Sequence, residues 1–265
     1  MHTPSASGEG YLDGMSEHIH VEIIDRVQRI VIDRPRKKNA LTPAMYTAIA
    51  DALASGEASD GVRVHYITGA GTTFTAGNDM ATFLNPSAFM APVVRFLTAI
   101  RDASKPLVIA VNGAAIGVGV TMLLHADLVY AATSARLRTP FVDLGLVPEA
   151  GSSLLMPTTM GHTRAAELLL LGETLSAQRA CESLLVNEVL DDDALETHAM
   201  RQAVRLANRA PAAMRASKAL MRRANATALR ETMDEEYRVF AERLASPELA
   251  EAVTAFLEKR APEFA

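Results

Sequence analysis

Three short segments hold the residues whose types and spacing suit chemistry. The first, Phe74-Thr75-Ala76-Gly77-Asn78-Asp79-Met80, gathers small residues around Gly77. Backbone can approach a ligand closely at such a glycine, and the amides that follow can point into a pocket. The second runs from Val111 to Val120 (VNGAAIGVGV) and carries an apolar run into a helix start. Unsatisfied N–H groups at a helix start favour negative charge. Two such loops could supply a pair of converging N–H donors, as an oxyanion hole requires. Two tight turns that merely pack a helix on a strand would read the same way. The third segment, Thr139 to Ser153 (TPFVDLGLVPEAGSS), sets Glu149 just before an apolar helix. On its own Glu149 reads as a helix-start carboxylate favoured by the dipole. In an apolar pocket its pKa would rise toward neutrality, which suits a general base. Asp143 is the rival carboxylate, with a solvated loop position as its other reading.

The elements around these segments alternate. Two β-branched runs, 20–25 and 28–33, predict a hairpin. Thr42-Pro43 supplies an N-cap and a first-turn proline for a helix to about residue 55. A strand over 62–68 follows, then a loop over 71–88. A helix over about 89–102 has Phe89, Val93, Phe96, Leu97 and Ile100 at helical spacing. An apolar strand at 106–111 leads through Asn112-Gly113 into a helix at about 116–124 and a strand at 127–132. This alternation predicts an α/β core with parallel strands joined by crossovers. From about 191 onward the pattern is helical, with helices expected at 192–209, 211–225, 229–246 and 247–258.

The chain has 265 residues, 26 Lys and Arg against 31 Asp and Glu, and a single Cys. A net charge of −5 argues against nucleic acid as a partner, because phosphate binding needs a basic face. One cysteine, Cys181, excludes an internal disulfide framework and a Cys-based zinc cluster. No run approaches the length of apolar sequence that a membrane span needs. Residues 1–17 lack the apolar core of a signal peptide and read as a disordered extension. A cytoplasmic, bacterial setting is expected. The glycines at 113, 117 and 119 do not make a dinucleotide fingerprint, and no P-loop lysine or G-x-S-x-G elbow is present. His65 and His125 sit among apolar residues and read as structural, and no HExxH or carboxylate cluster supports a metal.

In this order and spacing, the three segments resemble the crotonase superfamily of enoyl-CoA hydratases and isomerases. So do Arg34-Pro35-Arg36-Lys37-Lys38-Asn39-Ala40-Leu41 near the start and Phe256-Leu257-Glu258-Lys259-Arg260 near the end. The resemblance implies a ββα spiral core over 18–190 and a C-terminal helical trimerisation region over 191–265. It also implies assembly into a homotrimer or a dimer of trimers. An acyl-CoA substrate is implied with no separate cofactor, since coenzyme A belongs to the substrate. By the same resemblance the thioester oxygen is held by the backbone N–H groups of Asn78 and Val118. Lys37, Lys38 and Ala40 are expected near the pantetheine and phosphates. Ala76, Gly77, Asp79 and Met80, with Ile116 and Gly117, are expected at the thioester. Phe141 is expected to wall the acyl pocket, and Lys259 to reach CoA, in its own or a neighbouring subunit. The stretch 81–95, with Phe83, Leu84, Phe89 and Met90, is expected to form the tail pocket.

Two departures narrow the chemistry. Hydratases of the family use two glutamates, at the positions of Thr121 and Phe141, and neither is a carboxylate in this chain. The run Thr-Pro-Phe-x-x-Leu-Gly-x-x-Pro-Glu is instead similar to the Δ3,Δ2-enoyl-CoA isomerase subgroup, which implies Glu149 as the single catalytic base. The expected function is therefore a 1,3-proton shift in 3-enoyl-CoA during fatty-acid oxidation. A hydratase-like enzyme using Glu149 with water, or a catalytically weak acyl-CoA-binding protein, are the alternatives.

Overall fold

The computed structural model describes residues 16–84 and 86–264. Most of the expected extension at 1–17 therefore lies outside the described residues. The hairpin is present as β1 (Ile19–Ile24) and β2 (Val27–Ile32), paired antiparallel. Asp25 and Arg26 both take left-handed backbone, the geometry of a two-residue turn whose twist matches the strands. Helix α1 (Pro43–Ala58) starts where Thr42 accepts a hydrogen bond from the Met45 amide.

The chain then winds in repeated turns. Strand β3 (Val64–Gly69) is followed by β4 (Thr73–Thr75) and α2 (Pro86–Asp102). Next come β5 (Leu107–Val111), β6 (Ala114–Ile116) and α3 (Val118–Thr121). Then β7 (Leu128–Ala132) and β8 (Arg136–Arg138) lead to α4 (Ser152–Met160) and α5 (His162–Leu169). The last turn reverses the order, with β9 (Leu175–Ser176), α6 (Ala177–Glu182) and β10 (Glu188–Leu190). Each turn gives one strand to a six-stranded sheet, ordered β1-β2-β3-β5-β7-β10, and one to a four-stranded sheet, ordered β4-β6-β8-β9. Beyond the first hairpin the larger sheet is parallel throughout. This is the expected ββα spiral.

Parallel strands need both faces covered, and two apolar clusters cover them. The larger one joins β2, α1, α2 and the inner faces of the strands to Met233, Phe240, Leu249 and Val253 from the tail. On the other face Val27, Val64, Tyr66, Val108 and Ala110 pack against Leu195, Ala199, Ala203 and Ala207 of α7 (Leu195–Ala207). Helix α7 thus completes the core. The remaining tail helices are α8 (Pro211–Arg223), α9 (Ala226–Arg243) and α10 (Pro247–Glu258). Among the tail's apolar residues, Met233, Phe240, Leu244, Leu249 and Val253 are buried on the chain's own core, while Leu220, Met221, Phe256 and Leu257 stay exposed. The tail folds back rather than hanging free. No described helix is long and apolar enough to cross a membrane.

Two expectations shift. The helix expected over 116–124 is a single turn, α3, running into a 3-10 turn at Met122–His125. The loop expected over 71–88 contains β4 and a 3-10 turn at Met80–Leu84, and α2 begins at Pro86.

Candidate active site

Strands β4, β6 and β8 are parallel neighbours. Parallel strands release their loops at the same end, so the segments following them must meet there. After β4 comes Ala76–Asp79, after β6 comes Gly117–Val118, and after β8 comes the stretch that leads to Glu149. The first two loops are in close contact. A Cβ built on Gly77, whose φ is +79°, would lie 2.7 Å from the Ile116 carbonyl oxygen. Only glycine permits that approach. The Gly117 amide is used by the Arg138 carbonyl at 2.8 Å. Among the described residues, the amides of Asn78 and Val118 have no hydrogen-bond partner. An unpaired amide on each of two touching loops is what an anion or a polarised carbonyl oxygen requires.

The Asn78 loop is fixed from two sides. Leu41 exchanges two backbone hydrogen bonds with it (Leu41 N to Gly77 O, 2.8 Å; Asp79 N to Leu41 O, 2.9 Å), and Ala76 N donates to the Lys38 carbonyl at 2.9 Å. These bonds bring exposed Lys37 and Lys38, and half-buried Ala40, alongside the loop. Behind it, the Tyr46 hydroxyl donates to the Asn78 side-chain oxygen at 2.5 Å. Tyr46 is fully buried on α1, and its phenol pKa is pushed well up by burial and then by the charge of Glu149. Nothing in its sequence context set this tyrosine apart from the apolar face of the helix.

Glu149 is buried, at 5% exposure. It lines a small cavity with Asn78, Phe89, Met90, Val93, Val94, Tyr237 and Phe240, and among the described residues it is the one carboxylate there. Its pKa is pushed up to about 7, chiefly by burial and secondarily by the charge of Glu236. A hydrogen bond from the Thr121 hydroxyl, 2.5 Å from Oε1, opposes that rise. Among the described residues Thr121 is the only hydrogen-bond partner of the carboxylate. This leaves Oε2 free to exchange a proton.

The loop behind Glu149 is clamped. The His125 Nε2–H donates to the Ala150 carbonyl at 2.7 Å, from an imidazole that burial pushes down to about 4 and so keeps neutral. The buried Glu236 carboxylate of α9 accepts from the Gly151 amide at 2.6 Å and from the Ser153 amide at 3.0 Å. The structural reading of His125 and His65 holds, with His65 buried between Gln28 and Glu57.

Other expected site residues separate. Asp143 is half-exposed and paired with Arg138 at 2.8 Å, away from the cavity. The Asp79 carboxylate turns to Arg34 at 2.7 Å, so this residue offers backbone rather than charge to the loop. Met80 packs half-buried against the core. Phe141 is buried in the core and does not line the Glu149 cavity, whereas Phe89 and Met90 do. The Leu84 side chain lies outside the described residues. Lys259 is exposed at the end of α10, and among the described residues no hydrogen bond or ion pair joins it to these loops.

Comparisons with known proteins agree with this architecture. The family model described as enoyl-CoA hydratase/isomerase matches residues 22–265. The chain is 37% identical to enoyl-CoA delta isomerase 2 of Rattus norvegicus, over 97% of this chain and 68% of that protein. It is 30% identical to 2,3-dehydroadipyl-CoA hydratase of Escherichia coli K12, over 91% of this chain and 97% of that one. It superposes on the crystal structure of an enoyl-CoA hydratase/isomerase from Pseudoalteromonas atlantica T6c with a TM-score of 0.90 and 46% identity. That match covers 94% of this chain and all of that one. A spiral of ββα turns, a loop pair with unpaired amides and a family model spanning nearly the whole chain lead to one assignment: this protein belongs to the enoyl-CoA hydratase/isomerase family, the crotonase superfamily, whose members act on acyl-CoA thioesters.

Proposed function

We propose that the protein is an isomerase that moves the double bond of 3-enoyl-CoA to the 2-trans position, in fatty-acid oxidation. The observation that carries this reading is the buried carboxylate of Glu149 facing a cavity that, among the described residues, no second acid lines. The Glu149 carboxylate takes a proton from C2. The C–H electron pair moves toward C1, and negative charge collects on the thioester oxygen. The Asn78 and Val118 amides hold that oxygen. The same carboxyl then returns the proton at C4, the double bond comes to rest between C2 and C3, and composition is unchanged. A pKa near 7 suits both halves, because the group must accept and give up the same proton at one pH.

Hydration asks more of the site, since water must be activated at C3 while C2 is protonated. Thr121 stands where the resemblance expects one of the two acids, and its hydroxyl donates to Glu149. Lys37 and Lys38 lie where they could meet CoA phosphates, and Gly77, Ile116 and Gly117 frame the thioester. Exposed Leu220, Met221, Phe256 and Leu257 support assembly into a trimer or a dimer of trimers. The test is incubation with 3-hexenoyl-CoA and, separately, with crotonyl-CoA. Conjugated product from the first is the expected result. Hydration of the second alone would favour a hydratase, and tight binding of both without turnover would favour an acyl-CoA binder.

A further inference from the structure

The turn that carries Glu149 has unusual backbone. Ala150 and Gly151 both adopt positive φ, +61° and +72°. A left-handed alanine is disfavoured and persists only when its surroundings hold it. Beside the His125 contact to the Ala150 carbonyl, the holding group comes from the far end of the chain. Glu236, at 7% exposure on α9, accepts from the Gly151 amide (2.6 Å), the Ser153 amide (3.0 Å) and the Ser153 hydroxyl (2.5 Å). All three contacts are donors to it, which suits an ionised carboxylate. Helix α9 lies directly on this turn, since a Cβ on Gly151 would meet Leu229 Cδ1 at 2.3 Å. The next residue on the helix, Tyr237, lines the Glu149 cavity.

A buried carboxylate so close to a proposed base has two consequences. It fixes the turn that aims Glu149, and it places a second negative charge near it. Among the described residues, the other ionisable or polar groups around Glu149 and its turn are Thr121 from α3, His125 from the 3-10 turn after it (kept neutral by burial), Asn78, Tyr46 from α1 and Tyr237 from α9. None of these is a cation. Glu231 and Glu235, exposed on the same helix, border the groove beside Glu236 and add no positive charge. We propose that Glu236 is a positioning residue for Glu149, holding the Ala150–Gly151 turn in register and setting, through its charge, the pH range in which Glu149 accepts a proton. This rests on the reading of Glu149 as the base. Burial raises the pKa of Glu236 itself, and its three hydrogen bonds oppose that rise.

The test separates charge from reach. Glu236→Gln removes the charge and sets an amide N–H against the Gly151 N–H. The acid limb of its kcat profile should move to lower pH by about half a unit or more. Its kcat should fall by roughly tenfold or more, as a displaced base requires, while KM stays within about twofold. Glu236→Asp keeps the charge but is one methylene short, so kcat should fall with the acid limb unmoved. A residue that only caps α4 would lower the melting temperature of both variants and leave the wild-type acid limb in place, which would overturn the proposal. Should Glu236→Gln fail to fold, Ser153→Ala serves, because Ser153 is exposed and loses only one contact. Lower kcat is expected from it at unchanged KM, and unchanged kcat would refute the clamp. A wild-type profile with no acid limb near neutral pH would instead overturn the reading of Glu149. An unmoved Gln limb beside a clear wild-type limb overturns only the role of Glu236.

Discussion

Replacing Glu149 with glutamine should stabilise the protein as the pH rises, while removing its proposed base. Burial lifts the Glu149 pKa from 4.5 to about 7, so the folded state binds this proton more tightly than the unfolded chain does. The sign follows from linkage. Below the unfolded pKa both states are protonated and nothing is lost. Between the two values stability falls as pH rises, and above the folded value the whole cost is present. A shift of this size corresponds to about 3 kcal/mol at alkaline pH. Glutamine carries no charge at any pH, and its carbonyl can still accept the Thr121 hydrogen bond. Its amide N–H group adds a penalty that does not vary with pH, so the useful quantity is a difference of differences. Between pH ~5 and pH ~8.5, Glu149→Gln should gain about 2.5 kcal/mol on the wild type. In a thermal melt this is a relative rise of roughly 5–10 °C. A gap between wild type and variant that does not change with pH would mean that Glu149 titrates normally, and would refute the argument from burial.

Thr121→Val removes the one hydroxyl that favours the Glu149 carboxylate. A bond to a charged group is worth ~1.5–3 kcal/mol, so the pKa should rise by about 1–2 units. Turnover at neutral pH should drop roughly 5- to 50-fold and recover in alkaline buffer, as a pH–rate profile will show. Gly77→Ala strains a backbone at φ +79° and drives a methyl into the Ile116 carbonyl, parting the two loops. Loss of kcat on the order of 10² is expected, with circular dichroism unchanged. Lys37→Glu and Lys38→Glu should each raise KM for CoA esters by roughly 2- to 5-fold and leave KM for short pantetheine thioesters alone. Equal effects on both substrates would argue against phosphate contacts.

The elements legible from the sequence are those with many residues in one period. The β1–β2 hairpin, α1, β5, β7 and the tail helices lie within a few residues of their expected places. Strands β4, β6, β8 and β9 have only two or three residues each, too short for alternation to register. Yet these strands gather the site, because their loops carry Asn78, Val118 and the approach to Glu149. Glu149 is singled out by the resemblance, through the Pro148-Glu149 pair; its local setting alone reads as a helix-start carboxylate. The groups that tune it are legible in neither. Thr121 reaches it across 28 residues, Tyr46 reaches Asn78 across 32, and Glu236 reaches Gly151 across 85. Contacts of that range depend on the completed spiral, and no local pattern announces them. Phe141 illustrates the converse. The resemblance implies an acyl wall for it, while its ring is buried and lies outside the lining of the Glu149 cavity.

Whether Glu149 alone moves the proton is read from the rate of conjugated product from 3-hexenoyl-CoA in wild type, Glu149→Gln and Asp143→Asn. The wild type should turn over. Glu149→Gln should lose at least ~10²-fold in kcat while keeping its affinity for acyl-CoA. Asp143→Asn should remain close to wild type, because Asp143 is engaged by Arg138 outside the cavity. A Glu149→Gln enzyme that works normally beside an inactive Asp143→Asn would make Asp143, not Glu149, the base.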